Sequence, residues 1–409
     1  MPADTDGRSH LGDRCTMSLS EVSQSIVTGR TLWSTGLRAS LRENSPLVLL
    51  TGIYVLVPFI ASYALSIDPR PFGNLWAPYV GFAVPSGISL FAAFALWYLY
   101  HTRVLKIADF QSIAWQRIRS DFLHPDRLML ALPIILLWPI FATGFSYLKA
   151  IIPIVQPYYL DPWLHEWDRI LHFGVDPWRI VQPFVGYTWI TYSINLLYAL
   201  WFLAFQGVLI LMMAASGDRK LRMQYLLTQT LAWSLLGNLG AMLLSSVGPC
   251  YYGLLLGGVD PYAPLLAYLH EIPAKLTYHV LGYDLEIPFG VLKIQEVLWQ
   301  SQADGDLGLA RGISAAPSMH VASSWIIWRL AWSKGRAARI FASLFLLTIF
   351  VGSVHLGWHY ALDGYIGIAG AWVLWRLTGW LLERRSIQAL LWPEGLPAPR
   401  ARETAAQTA

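Results

Sequence analysis

The chain has 409 residues, 55% of them hydrophobic and 13% charged, with a formal net charge of +4. Its mean hydropathy is +0.45. A soluble domain carries about a quarter charged residues, so this composition excludes a cytosolic enzyme, a disordered chain and a nucleic-acid binder, and it implies a polytopic membrane protein.

The first 46 residues are polar and hold no early apolar run, which predicts a cytoplasmic tail over 1–46 without a cleavable signal peptide. A membrane-crossing helix needs about 20 mostly apolar residues, at about 1.5 Å each. Stretches of that kind fall at 47–67, 78–100, 128–148, 187–215, 225–247, 315–333, 340–358 and 361–382. The expected fold is all-α, a polytopic membrane bundle of about eight transmembrane helices. Residues 47–127 would form two accessory helices and a cytoplasmic loop, 128–385 a six-helix core, and 386–409 a second cytoplasmic tail. Twenty Trp and twenty Tyr supply rings suited to the membrane–water interface.

Basic residues set the orientation. One set of loops starts with Arg8, Arg14, Arg30, Arg38 and Arg42 and ends with Arg384, Arg385, Arg400 and Arg402. It carries 20 of the 29 basic residues. The opposite, longer loops carry seven, among them Arg70, Lys149, Lys275, Lys293 and Arg311. Both termini are therefore expected in the cytoplasm. Cys15 and Cys250 then lie on opposite faces and cannot pair.

Two outer segments are more than connections. In 161–174 (DPWLHEWDRILHFG) Asp161 suits an N-cap, Pro162 the first helical position and Gly174 the stop, with Leu164, Trp167, Ile170 and Leu171 on one face. This predicts a short helix in the interface. The longest outer loop, 248–312, contains apolar pieces at 262–272 and 288–299, and reads as either a lid or a surface subdomain.

Residues able to carry chemistry gather at the outer ends of the last three spans. At Ala315-Ala316-Pro317-Ser318-Met319-His320, Pro317 suits a first helical turn, which would leave the N–H groups of Ser318 to His320 free for an anion. Ser318 adds a hydroxyl and His320 a group that exchanges protons near neutral pH. In Gly352 to Asp363, His359 and Asp363 are four apart, so Asp363 is placed to accept the Nδ1–H of His359 and leave Nε2 free. His355, His359 and Asp363 share the same spacing and would also suit a metal, and haem ligation is a further reading. Gly357 predicts a turn that breaks such a face. A His activated by an Asp, with a second His as acid, is the minimum for phosphoryl transfer through a covalent histidine. Asn195, Gln206, Gln229 and Asn238 inside spans suit interhelical hydrogen bonds.

Pro317-Ser318-Met319-His320 resembles the second motif of the type 2 phosphatidic acid phosphatase superfamily, and Gly352 through Asp363 resembles the third. Gly248-Pro249-Cys250-Tyr251-Tyr252 and Gly312-Ile313-Ser314-Ala315 look like the inositol phosphorylceramide synthase, or inositolphosphotransferase, branch. The likeness covers about 157–383. It implies a lipid phosphotransferase at the outer face, with His359 as nucleophile, Asp363 orienting it and His320 as acid. Ser318, Ser353, His355 and Arg311 would surround the phosphate. It implies no metal and no cofactor, a phospholipid donor and a lipid hydroxyl acceptor. The alternatives are a lipid phosphate phosphatase of the same superfamily, or an inactive relative that binds or moves lipid. The superfamily's Lys/Arg-Pro first motif is absent: the only Arg-Pro is Arg70-Pro71. Ser353 stands where the third motif carries Arg. Lys275, Lys293 or Arg311 would have to supply the charge. So few cations suit a phosphodiester better than a phosphomonoester.

Overall fold

The computed structural model describes residues 36–67, 76–107, 109–119, 124–215, 217–280, 283–305 and 311–395. Arg8, Arg14, Arg30, Arg70, Pro71, Arg400, Arg402 and Cys15, with most of the expected N-terminal tail, lie outside the described residues.

A short helix α1 (36–43) leads into α2 (Ser45–Leu65). Then follow α3 (Trp76–Leu99), α4 (Phe110–Arg117) and α5 (Pro125–Ala150). Two short helices, α6 (Asp161–Leu171) and α7 (Pro177–Val185), precede α8 (Thr188–Met213). The chain continues with α9 (Arg219–Leu231), α10 (Ala263–Lys275) and α11 (Gly290–Ala303). It closes with α12 (Met319–Ala331), α13 (Arg336–His355), α14 (Ala361–Leu382) and α15 (Arg385–Leu391). The strands among the described residues are β1 (Thr277–Val280) and β2 (Tyr283–Glu286), an antiparallel hairpin between α10 and α11 that hydropathy does not reveal. The fold is the expected all-α polytopic bundle.

Among the described residues six helices are long and apolar enough to cross a membrane: α2, α3, α5, α8, α13 and α14. The expected spans at 225–247 and 315–333 differ for separate reasons. The first begins earlier, at Arg219, and runs from α9 through nine residues of π-helix, Ala232–Gly240, into Ala241–Leu243. Its first turns are too polar for lipid, and protein covers them instead: Arg222 is fully buried. The second is shortened to the 13 residues of α12, about 20 Å of helix. Its expected first turn is extended chain, because Ala315 N–H donates to the Ser246 carbonyl (3.0 Å) and Ala316 N–H to Ser246 Oγ (3.1 Å).

One end of the bundle collects residues from the Arg/Lys-rich loops. The Glu43 carboxylate is buried between Arg219, which it meets in a short ion pair, and Arg222 at 3.4 Å. Arg222 also donates to the Met213 carbonyl at 2.9 Å, and Lys220 pairs with Glu383 at 2.9 Å. The accessory helices are packed into the bundle. Tyr54 on α2 donates to Asn238 Oδ1, and Ser62 Oγ meets Tyr147 OH at 2.5 Å. Tyr79 on α3 donates to the Leu136 carbonyl at 2.8 Å, and a Cβ at Gly207 of α8 would meet Ser89 Cβ of α3 at 3.2 Å. Asn238 and Gln206 thus make interhelical bonds, Gln206 to Ser86 at 3.5 Å, whereas Gln229 bonds within its own helix, to Tyr225.

Candidate active site

The opposite end of the bundle is built on α6. Asp161 is its first residue and not its cap, and its carboxylate is buried. It accepts the N–H groups of Val247 (3.0 Å) and Gly248 (2.9 Å) and the hydroxyl of Tyr360 (2.8 Å). Two turns on, Asp168 accepts the N–H groups of Ala361 and Leu362, both at 2.8 Å. These are free donors at the start of α14. A side chain nearly 200 residues away therefore caps that helix. Burial pushes the Asp168 carboxyl up to about 6 and Asp161 up as well, and the N–H donors pull both back. Leu164 turns inward with the two carboxylates, while Trp167, Ile170 and Leu171 face outward and exposed, so the expected single apolar face is split.

Between α13 and α14 the chain turns at Gly357, whose φ is +75°. Cys250 N–H donates to the Gly357 carbonyl at 2.8 Å, and Gln295 Nε2 on α11 to the Leu356 carbonyl at 3.0 Å. The Ser353 carbonyl accepts the N–H groups of Trp358 and His359, each at 3.0 Å. The turn is thus gripped from three directions, and it presents His359.

His359 Nδ1 lies 2.8 Å from the Ala315 carbonyl and 3.5 Å from Asp363 Oδ2. The expected Asp363 hydrogen bond is replaced by a backbone one, since Asp363 Oδ2 instead accepts the Tyr360 N–H at 3.0 Å. A carbonyl only accepts, so Nδ1 carries the hydrogen and Nε2 is left unprotonated. The buried Asp363 carboxylate stays close enough to stabilise a charged ring.

His320, in the first turn of α12, is stacked on Tyr198 (ring centroids 4.6 Å) and packs tilted against Trp201 (4.3 Å). It meets His359 in a T-shaped pair at 5.7 Å. Both histidines line one cavity of about 640 Å³, together with Lys149, Asn195, Arg311 and Ser314. Gly312, at φ +83°, lies on the backbone of Lys149 and Ala150: a Cβ there would stand 2.7 Å from Ala150 Cα. From α11, Val291, Ile294 and Leu298 line one side of the cavity.

Other expected ligands lie elsewhere. Ser318 is fully buried and caps α12, its Oγ accepting the Val321 N–H at 3.4 Å, while its own N–H goes to the Asp363 carbonyl at 3.0 Å. The expected free donors at that helix start are therefore fewer, and Pro317 stands outside the helix. Ser353 Oγ bonds back to the Ile349 carbonyl at 2.8 Å. His355 points away from the cavity, toward Thr191 Oγ1 at 2.9 Å and Tyr268. α13 ends at His355 and α14 starts at Ala361, so His355, His359 and Asp363 share no helix face for a metal. Lys275 and Lys293 pair with Glu271 (2.8 Å) and Glu296 (3.1 Å) outside the cavity. Of the cations weighed from sequence, Arg311 lines the cavity; Lys149 and Asn195 join it unforeseen, because an end-of-span Lys reads as an interfacial anchor and a lone Asn as helix–helix glue.

A model of the PAP2 superfamily matches residues 162–377, more than half of the chain. No curated protein and no solved structure matches it. The matched segment contains His320, His359, Asp363, Asp168 and Arg311, and leaves out α2, α3 and α5 with Lys149.

Proposed function

Because this chain belongs to the PAP2 superfamily, whose members are generally phosphatases or phosphotransferases, we propose that it is an integral-membrane lipid phosphotransferase acting on the extracytoplasmic face. The observation that carries the proposal is the meeting of His320 and His359 in one cavity that also holds Lys149 and Arg311. The superfamily match supports lipid phosphate chemistry; the finer steps are our reading of the residues.

The Nε2 lone pair of His359 attacks phosphorus, and the bond from phosphorus to the lipid alcohol oxygen breaks. Protonated His320 gives that oxygen its hydrogen, so a neutral lipid alcohol leaves and a phosphohistidine remains. His320, now neutral, takes the hydrogen of an acceptor hydroxyl. The acceptor oxygen displaces His359 from phosphorus, which restores both rings. Asp363 stabilises the His359 cation, and Lys149 and Arg311 offset the charge on the phosphoryl oxygens. These steps use no metal. The aromatic walls limit water, which favours a lipid hydroxyl as acceptor.

Lys149 and Arg311 line the same cavity, and this changes the charge argument about the donor. Two cations balance a phosphomonoester, with about 1.5 to 2 negative charges, as well as a phosphodiester. This observation favours a second reading, hydrolysis of a lipid phosphate such as phosphatidic acid. The test is to incubate purified protein with phosphatidic acid and with head-group phospholipids, each labelled on phosphorus, and a lipid alcohol acceptor. We expect label in a new phospholipid and, on quenching in alkali, label on His359. Rapid release of inorganic phosphate from phosphatidic acid, with no transfer to any acceptor, would leave the phosphatase.

A further inference from the structure

The cavity does not end at the histidines. Along α5 it runs from Lys149 down to Trp138, and along α8 from Asn195 to Gln206. Eleven residues of helix on each wall span about 16 Å. Its charged groups and the histidines stand at one end with Lys149, Arg311 and Asn195, whereas the deep part is mainly aromatic, with Trp138, Phe205 and Trp233, and has Gln206 as its polar end. The third wall belongs to α3, through Pro78, Gly81 and Phe82. Both α3 and α5 lie outside the segment matched to the superfamily.

Gly81 is the informative residue of that wall. A glycine inside a helix costs roughly 1 kcal/mol relative to alanine and usually marks close packing. Gly207 is of that kind, with Ser89 Cβ at 3.2 Å, whereas a Cβ at Gly81 would meet nothing within 4 Å. The space it leaves adjoins the cavity that it lines. A polar pocket for a phosphate, continuous with an apolar shaft reaching down into the hydrocarbon layer, has the division of a phospholipid.

We propose that α3, α5 and α8 form a binding site for one acyl chain of the lipid substrate, and that Gly81 sets which chains fit. This rests on the lipid phosphotransfer reading, but its test need not. A phosphatidylglycerol with a diazirine in the distal half of one chain is photolysed with the purified protein, and the adducts are mapped. Wild type should crosslink near Trp138 and Phe205. Gly81→Leu should cut that yield at least fivefold. Ala142→Leu, on the facing α5 wall, should do the same. Gly87→Leu, on α3 in open space but not lining the cavity, should not. Adducts confined to the outer apolar surface, or a yield unchanged in both cavity variants, would overturn the proposal. Crosslinking without any turnover would sink the phosphotransfer reading and keep the chain site. Where turnover is measured, Gly81→Leu should lose at least tenfold on a dioleoyl donor and stay within twofold on the dioctanoyl donor. Equal losses on both would overturn the chain-length role.

Discussion

His359 donates its Nδ1 hydrogen to the Ala315 carbonyl at 2.8 Å. The nucleophile proposed here is thus oriented by the extended segment that replaces the first turn of α12. The carboxylate four residues on retains an electrostatic part at 3.5 Å. His359→Ala should therefore abolish turnover, while Asp363→Asn keeps the ring in place and loses charge stabilisation alone. A pair at that distance interacts with roughly 5 kcal/mol at an effective dielectric of 20, so a loss of about a thousandfold to ten-thousandfold is expected. Steady-state kinetics of the two variants, with size-exclusion profiles to check folding, decide this. Equal activity in wild type and His359→Ala would remove the mechanism.

Lys149→Gln should reduce kcat/KM for a lipid phosphate by about 10- to 100-fold, a cost in keeping with removing one charged contact. Arg311→Gln should behave likewise. Lys275→Gln and Lys293→Gln should stay within twofold, because their partners are Glu271 and Glu296. A ranking led by Lys275 or Lys293 would place the phosphate elsewhere.

Asp168→Ala leaves two N–H groups of α14 without acceptors. Each buried donor left unpaired costs about 1–3 kcal/mol, and Asp363 and the His359 turn sit on the loosened helix end. Both thermal stability in detergent and turnover should fall, although Asp168 does not line the cavity. The pH dependence has a definite sign. A carboxyl held up to about 6 by burial binds its proton more tightly folded than unfolded. Its contribution to stability is present below the ordinary carboxylate range and is lost as pH rises through about 6. The stability advantage of wild type over Asp168→Asn should accordingly grow as pH is lowered from 7 to 4 in melting experiments.

At the other end of the bundle, Glu43→Ala strands Arg222 without its carboxylate in a fully buried position. Breaking a buried pair in this way costs about 3–5 kcal/mol. Melting should drop markedly with donor preference unchanged. A negligible change would mean that the Met213 and Leu130 carbonyls satisfy Arg222 without the carboxylate.

Sidedness rests on the alternation of basic residues. In intact cells, with both native cysteines replaced, a cysteine at Asp304 should react with an impermeant thiol reagent and one at Arg336 should not. The reverse pattern would turn the protein over and place the histidines in the cytoplasm.

The spans were legible because hydropathy alone makes a helix in lipid. α14 begins and ends where the sequence predicts, and α2, α3 and α8 do so within two residues. The motif histidines were legible because topology alone brings His320 and His359 to one end. What escaped was tertiary. Asp168 reads as one more charge on an interfacial helix until its carboxylate is seen under Ala361 and Leu362. Lys149 reads as a snorkelling end-of-span residue until α5 is seen to wall the cavity. The hydrogen bond of His359 escaped because backbone carbonyls carry no sequence signature, and α12 was read too long because Ser246 draws Ala315 and Ala316 into an extended path.

Gly312 rests on the backbone of Lys149 and Ala150 and directly follows Arg311 in the chain. The approach of this segment to the end of α5 is consequently a property of main chain against main chain, like the fixed jaws of a calliper. Swapping side chains around the rim would leave that approach in place. Widening the jaws calls for a change at residue 312 itself, where any Cβ pushes the segment off α5. A single hydrogen atom at residue 312 thus keeps this rim of the cavity at its present gauge.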